Sequence, residues 1–446
     1  MCLIIKILTN NCKYLLVFLI TMLLNACSKN ISYSTVGQGW SNNSVNTVKF
    51  RKNALTTHKA FQFAAYYNES GYLVLAKRKL TSQHWKTLQT NFKGNVKDAH
   101  NSISIAVDGD GFLHVSWDHH NTKLRYAKSK LPLSLELGEE IKMTNNQEDN
   151  VTYPEFYNLP NGNLLFFYRS GESGRGNLVI NSYATETKKW QQLQTNLIDG
   201  ENKRSAYWQA CVDAKGVIHL SWVWRETWNV ETNHDLCYAK SLDGGMTWQK
   251  SNGALYQLPI TLASAECAYR IPQNSNLINQ TAMSTDNSGN PFIVSYWNDE
   301  NKIPQFQIVY LDNNIWKNEN TGFRKNAFVL GGGGTKKIPI SRPDIFINQS
   351  NNKKRVSVLF RDESRQNKVS VAQKDFSNNN NWQVYDLTKD DAGQWEPNYD
   401  VSLWNSDKKL HVFLQKVTQI DGEGLANTSA SNVQILSIKN SNKLTN

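Results

Sequence analysis

Seven times along this chain, a short run of alternating apolar and polar residues ends on an aromatic or bulky apolar side chain. The runs are FQFAAYY (61–67), GFLHVSW (111–117), GNLLFFY (162–168), GVIHLSW (216–222), NPFIVSY (290–296), KRVSVLF (354–360) and KKLHVFL (408–414). Their starts are separated by 50, 51, 54, 74, 64 and 54 residues. Alternation with period two, bounded by Gly, Asp and Asn, is the signature of hairpin strands. A partner strand follows each run, at 72–78, 124–128, 178–183, 236–240, 305–311, 368–373 and 433–438. One such unit cannot bury both of its faces, so the units must stack on each other. Seven all-β units at this spacing predict a seven-bladed β-propeller, in one domain over residues 36–440. Tryptophans 85, 190, 248, 316 and 382 mark the expected outer strands, residues 37–51 the strand that closes the ring. Each blade is expected to have four strands, with no helix longer than a turn or two.

The clearest unit, residues 99–130, shows where chemistry concentrates. His100 and Asn101 precede its first strand, and Asp118, His119 and His120 follow its second. Those ends are neighbours in an antiparallel hairpin. The same ends in other units carry Tyr153, Tyr207, Asn279, Arg342 and Glu396 before first strands, and Arg169, Arg225, Trp297 and Arg361 after second strands. One face of the disc is therefore lined with cations and flat rings, while the opposite hairpin ends are mostly Asp-Gly and Asn-Gly turns. His114, His219 and His411 recur at one strand position in three units, which marks them as packing residues. His100, His120, Tyr153 and Arg169 do not recur, and they fall on adjacent blades as an acid–base set. Read singly, Tyr153 is equally a packed rim tyrosine, and Arg169 a salt-bridge partner of Glu155 or Glu172.

The chain carries a formal charge of +11. Lys6 and Lys13, an apolar run over 15–24 and the sequence Leu24-Asn25-Ala26-Cys27 read as a leader over residues 1–26, with Cys27 lipidated as in a bacterial lipoprotein. The apolar run is too short to span a bilayer. A leader holding two lysines and no acidic residue would leave +9 on the mature chain. For an exported, surface-held or released protein, that charge points to an anionic polysaccharide rather than nucleic acid. Its only link to a membrane would be the lipid, and a monomer is expected. Three cysteines remain, Cys211, Cys237 and Cys267, which is no disulfide framework. A structural metal on Cys237, Cys267 and His234 is conceivable, although their spacing is not compact. The run Gly331–Gly334 lacks the Lys-Ser/Thr context of a phosphate cradle.

Ser241-Leu242-Asp243-Gly244-Gly245-Met246-Thr247-Trp248 fits the Asp-box turn S-x-D-x-G-x-T-W. Together with HNSISIAVDGDGFLHVSWDHH and TYPEFYNLPNGNLLFFYRSGESGRG, it makes the chain resemble BNR/Asp-box propellers of the kind that includes ulvan lyases. The resemblance implies cleavage of a uronate-containing sulfated polysaccharide by β-elimination, with no cofactor required. It would place acid and base roles on His100 and Tyr153, with Arg169 and His120 around the substrate carboxylate. His119, Arg204, Tyr207, Arg270, Asn279 and Arg342 are expected to bind the polymer. A histidine at its ordinary pKa of about 6.5 would accept the proton. Tyr269-Arg270-Ile271-Pro272 resembles the R-I-P motif of sialidases, so a sialidase-like hydrolase is one alternative. A non-catalytic glycan-binding lipoprotein is the other.

Overall fold

In the computed structural model, residues 30–439 are described, except 51–52, 281, 351–352 and 379. The expected leader and the lipidated Cys27 lie outside them. Among the described residues the strands form seven antiparallel sheets, the blades of a propeller. Blades 1 to 6 occupy residues 55–93, 103–128, 151–194, 205–269, 282–320 and 344–386. Blade 7 takes Leu410–Gln415 and Ser431–Ile438, then closes the ring with Ile31–Gly39 on its edge. The closing strand therefore begins before residue 37 and ends at Gly39, where the alternating run ISYSTV gives way to a loop.

The turns explain why the units recur. In blade 2, Asp108 Oδ1 accepts from the N–H groups of Asp110 and Phe112, and Gly111 takes φ +90°. Asp213 repeats this with Lys215 and Val217, and Asp286 with Ser288 and Asn290. An Asx turn followed by a residue at positive φ folds the strand back without a long loop. The Asp-box is a different pin. Thr247 Oγ1 donates to Asp243 at 2.6 Å, Trp248 Nε1 donates to the Gly245 carbonyl at 3.1 Å, and the indole is sealed from solvent. Trp248 thus sits in a turn; the outer strand of blade 4 is Glu266–Tyr269.

Adjacent blades pack face to face through aromatic side chains. Tyr126 of blade 2 meets Phe156 and Trp190 of blade 3, in a cluster that also buries Phe166. Blades 2, 3 and 7 depart from four strands. Blade 2 keeps three strands, and His120–Thr122, between its second and third, pairs with Val151–Asn158 as a fifth strand of blade 3. Positive φ at Asp118 turns the chain ahead of that crossing, and positive φ at Asn121 sits at the irregularity within it. Blade 7 has three strands, with the helix Val401–Asp407 in place of a long inner strand, capped by Asp400.

Candidate active site

The crossing strand makes His120 the direct partner of Thr152, one residue before Tyr153. Tyr153 precedes Pro154, yet its φ is +57°, where a residue before proline is disfavoured. The register of its strand shifts between Thr152 and Glu155, so Tyr153 and Pro154 form a bulge. Bulges re-aim side chains, and strain of this kind collects at functional sites. Tyr153, His100, His120 and Arg169 line one cavity of about 190 Å³ with Phe50, Tyr207, Arg225, Asn279 and Arg342. All but Phe50 come from the hairpin ends that face the same side of the disc.

His100 is sandwiched between Phe50, with ring centroids 4.9 Å apart, and His120 at 4.1 Å. Its Nδ1 lies 2.9 Å from Asp98 Oδ1 and 3.4 Å from Glu423 Oε1. The other Asp98 oxygen takes His120 Nδ1 at 2.6 Å. Burial opposes charge on His100, but the two carboxylates outweigh it and raise the imidazole to about 9. Asp98 is likewise opposed by burial and held well below the usual carboxylate range by its two imidazoles. His100 therefore departs from the ordinary histidine value expected from sequence. Asp98, two residues upstream, is legible in hindsight; Glu423, far along the chain, has no sequence signal.

Arg169 is buried, its guanidinium 5.0 Å from the Tyr153 ring centroid. Neither acidic candidate pairs with it, since Glu172 is bound by Arg175, and Glu155 accepts from Tyr157 and Trp208. Its Nε and Nη1 are buried without a hydrogen-bond partner, which is costly unless a ligand supplies one. Burial pushes the Tyr153 hydroxyl up to about 12. Burial acts on Tyr207 in the same sense, but Arg225 and Arg169 outweigh it and bring that hydroxyl down to about 8. Arg225 lies 5.3 Å from the Tyr207 ring centroid, and Ser173 Oγ is 3.1 Å from its hydroxyl.

Not every expected binding residue arrives here. His119 is fully buried and accepts the Arg125 N–H on Nε2; burial, then the Arg125 charge, lower it to about 3. Arg204 is tied to Glu201 and Glu226 away from the cavity, and Arg270, largely exposed, pairs with Asp235. Arg342 does line the cavity, but its charge is matched by Glu396 at 3.0 Å. The Gly331–Gly334 run, a loop without the context of a phosphate cradle, supplies two wall residues, Gly333 and Gly334. Trp228, Lys336 and Glu423 also line the cavity and were not singled out from sequence.

Asp98, His100 and His120 offer ligand atoms within 4.8 Å of one another. The two imidazole planes are stacked 19° apart, and each ring turns its Nδ1 to a different oxygen of Asp98, at 2.9 and 2.6 Å. The cluster is better described as a carboxylate bridging two imidazoles. His234, the other metal candidate, is engaged by Glu226 at 2.9 Å and Asp235 at 3.3 Å.

The architecture is a seven-bladed β-propeller with this cavity on one face of its disc. The model of BNR repeat-containing family members matches residues 61–324, more than half of the chain, and the chain belongs to that family. An ulvan lyase, long isoform, of Glaciecola sp. (strain KUL10) is 25% identical over 190 residues, covering 31% of this chain and 19% of the relative. The short isoform of Alteromonas sp. (strain LOR) is 24% identical over 194 residues, covering 31% and 37%. The chain thus spans well under half the length of these relatives. Among solved structures, polysaccharide lyase Uly1 superposes with a TM-score of 0.68 at 14% identity, covering 92% of this chain and 99% of that one. An ulvan lyase of family PL25 bound to -[GlcA(1-4)Rha3S]- gives 0.65 at 14% identity, covering 91% and 96%. At that identity, the likeness speaks for the fold.

Proposed function

We propose that this protein is a polysaccharide lyase that cleaves a uronate-containing sulfated polymer of the ulvan type by β-elimination. The observation that carries the reading is Arg169, a buried guanidinium with two unpartnered N–H donors, beside two histidines and two tyrosines. A carboxylate is the anion that such unpaired guanidinium donors favour. Pairing the uronate carboxylate with Arg169 and His120 stabilises the charge that builds as the C5 proton leaves.

His100 takes that proton on the nitrogen not held by Asp98. The C5 electron pair forms the C4–C5 double bond, the C4–O bond breaks, and Tyr153 protonates the departing oxygen. A tyrosine held up at about 12 keeps its proton well into the alkaline range, as an acid must. A histidine at about 9 becomes a base only as pH rises through that value, so the ascending limb of activity should lie near pH 9. A second reading gives the base role to Tyr207, whose hydroxyl is brought down to about 8. Under it, Tyr207→Phe abolishes elimination while His100→Gln does not.

The relatives named as ulvan lyases and the lyase structure holding a glucuronate–rhamnose sulfate ligand support the substrate class. The lipoprotein-like leader supports action outside the cell, where such a polymer is met. The test is absorbance of unsaturated uronate ends on ulvan and other uronate polymers. Arg169→Ala should lower the rate about 10²–10³-fold, with Arg169→Lys retaining a measurable part of it. Equal activity of Arg169→Ala and the wild type on every uronate polymer would remove the carboxylate from this cavity.

A further inference from the structure

Trp228 is 65% exposed, the sole tryptophan among the exposed large apolar side chains of the described residues. Scattered exposed apolar residues are ordinary on a protein surface. This one lines the cavity mouth, and its backbone is pinned from three sides. Arg225 donates to its carbonyl, and the backbone of residues 227–228 packs beneath Gly174 of the neighbouring hairpin. On the third side, Gly332 N–H donates to Asn229 Oδ1 at 2.8 Å, and Val230 N–H to the Gly332 carbonyl at 3.0 Å. Gly333 lies flush with the indole, since a Cβ there would fall 2.8 Å from Trp228 Cε3. The result is a large flat ring on a fixed backbone, backed by glycine and open to water at the edge of a sugar-sized cavity.

We propose that Trp228 is a stacking platform for a pyranose ring next to the uronate held at Arg169. The C–H face of a pyranose is apolar and flat enough to cover an indole, and a pre-positioned tryptophan loses little conformational freedom on binding. Residues 331–334 then act as its support, which gives the glycine run a purpose the phosphate reading could not. This assignment rests on the lyase reading for the identity of the polymer.

The test is calorimetric binding of ulvan oligosaccharides of increasing length to Tyr153→Phe protein, with and without Trp228→Ala or Trp228→Phe. Trp228→Ala should weaken binding roughly fivefold to tenfold on oligosaccharides long enough to reach the platform. Trp228→Phe should recover most of that loss, and the smallest oligosaccharide should not discriminate. In otherwise wild-type enzyme, the change should fall in KM rather than in kcat. Equal affinity of Trp228→Ala and its parent on the longest oligosaccharide overturns the platform, as does the absence of any binding to the Tyr153→Phe protein. Trp228-dependent binding by a wild-type enzyme that yields no unsaturated ends would keep the platform and sink the lyase reading.

Discussion

The blade 2 hairpin holds two histidine sites at opposite ends, and they behave in opposite ways. At the Asp-Gly end, His114 Nε2 lies 3.0 Å from Asp108 and Nδ1 lies 2.8 Å from the Tyr126 hydroxyl. Burial lowers its pKa against the pull of Asp108, which favours the neutral ring. Blade 4 repeats the trio with His219 and Tyr238 at 2.8 Å, and Asp213 at 3.6 Å. At the other end, His100 has carboxylates on one nitrogen only and is raised to about 9. What separates structure from chemistry here is where the bonds of each ring end. His114 spends both nitrogens inside its own blade. His100 spends one, and faces a cavity shared with an unpaired arginine.

Breaking each end should therefore give different losses. His100→Ala and Tyr153→Phe should each cut elimination about 10²–10⁴-fold, a loss of activity far larger than any loss of stability. His114→Ala should do the reverse. It strands Asp108 and Tyr126 in the blade and should cost about 2–4 kcal/mol in denaturant unfolding, while kcat of the folded protein stays near wild type. The smallest effect sharpens the electrostatic side. Glu423→Gln removes one of the two carboxylates that raise His100. Losing a negative neighbour lowers the pKa of a histidine, so the ascending limb should move to lower pH. A limb that stays in place would mean that His100 is not the group being titrated.

Much of the fold was legible because period-two alternation survives in every unit. The third-blade run, for example, was expected from residue 162, and the strand begins at Leu164. The offset has a cause: Gly162, like Gly111 and Gly216, is the positive-φ residue of the preceding turn. Comparing hairpin ends also located most of the cavity wall, since the ends of antiparallel strands converge in space. It failed where side-chain direction decides. His119 and His120 are adjacent, and the strand crossing into blade 3 leaves one sealed and the other at the cavity. Arg204 and Arg270 sit near the same rim, but acidic neighbours hold them elsewhere. Glu423 and Trp228 reach the site from the loops between the second and third strands of blades 7 and 4, where no periodicity points.

The central claim is that the cavity around Arg169 performs elimination rather than hydrolysis. It is tested most directly by digesting a defined ulvan oligosaccharide with wild-type enzyme and following ultraviolet absorbance and product mass together. Elimination predicts rising absorbance and two products whose masses sum to that of the substrate, one carrying an unsaturated uronate end. Products that together gain one water, with no rise in absorbance, would contradict it.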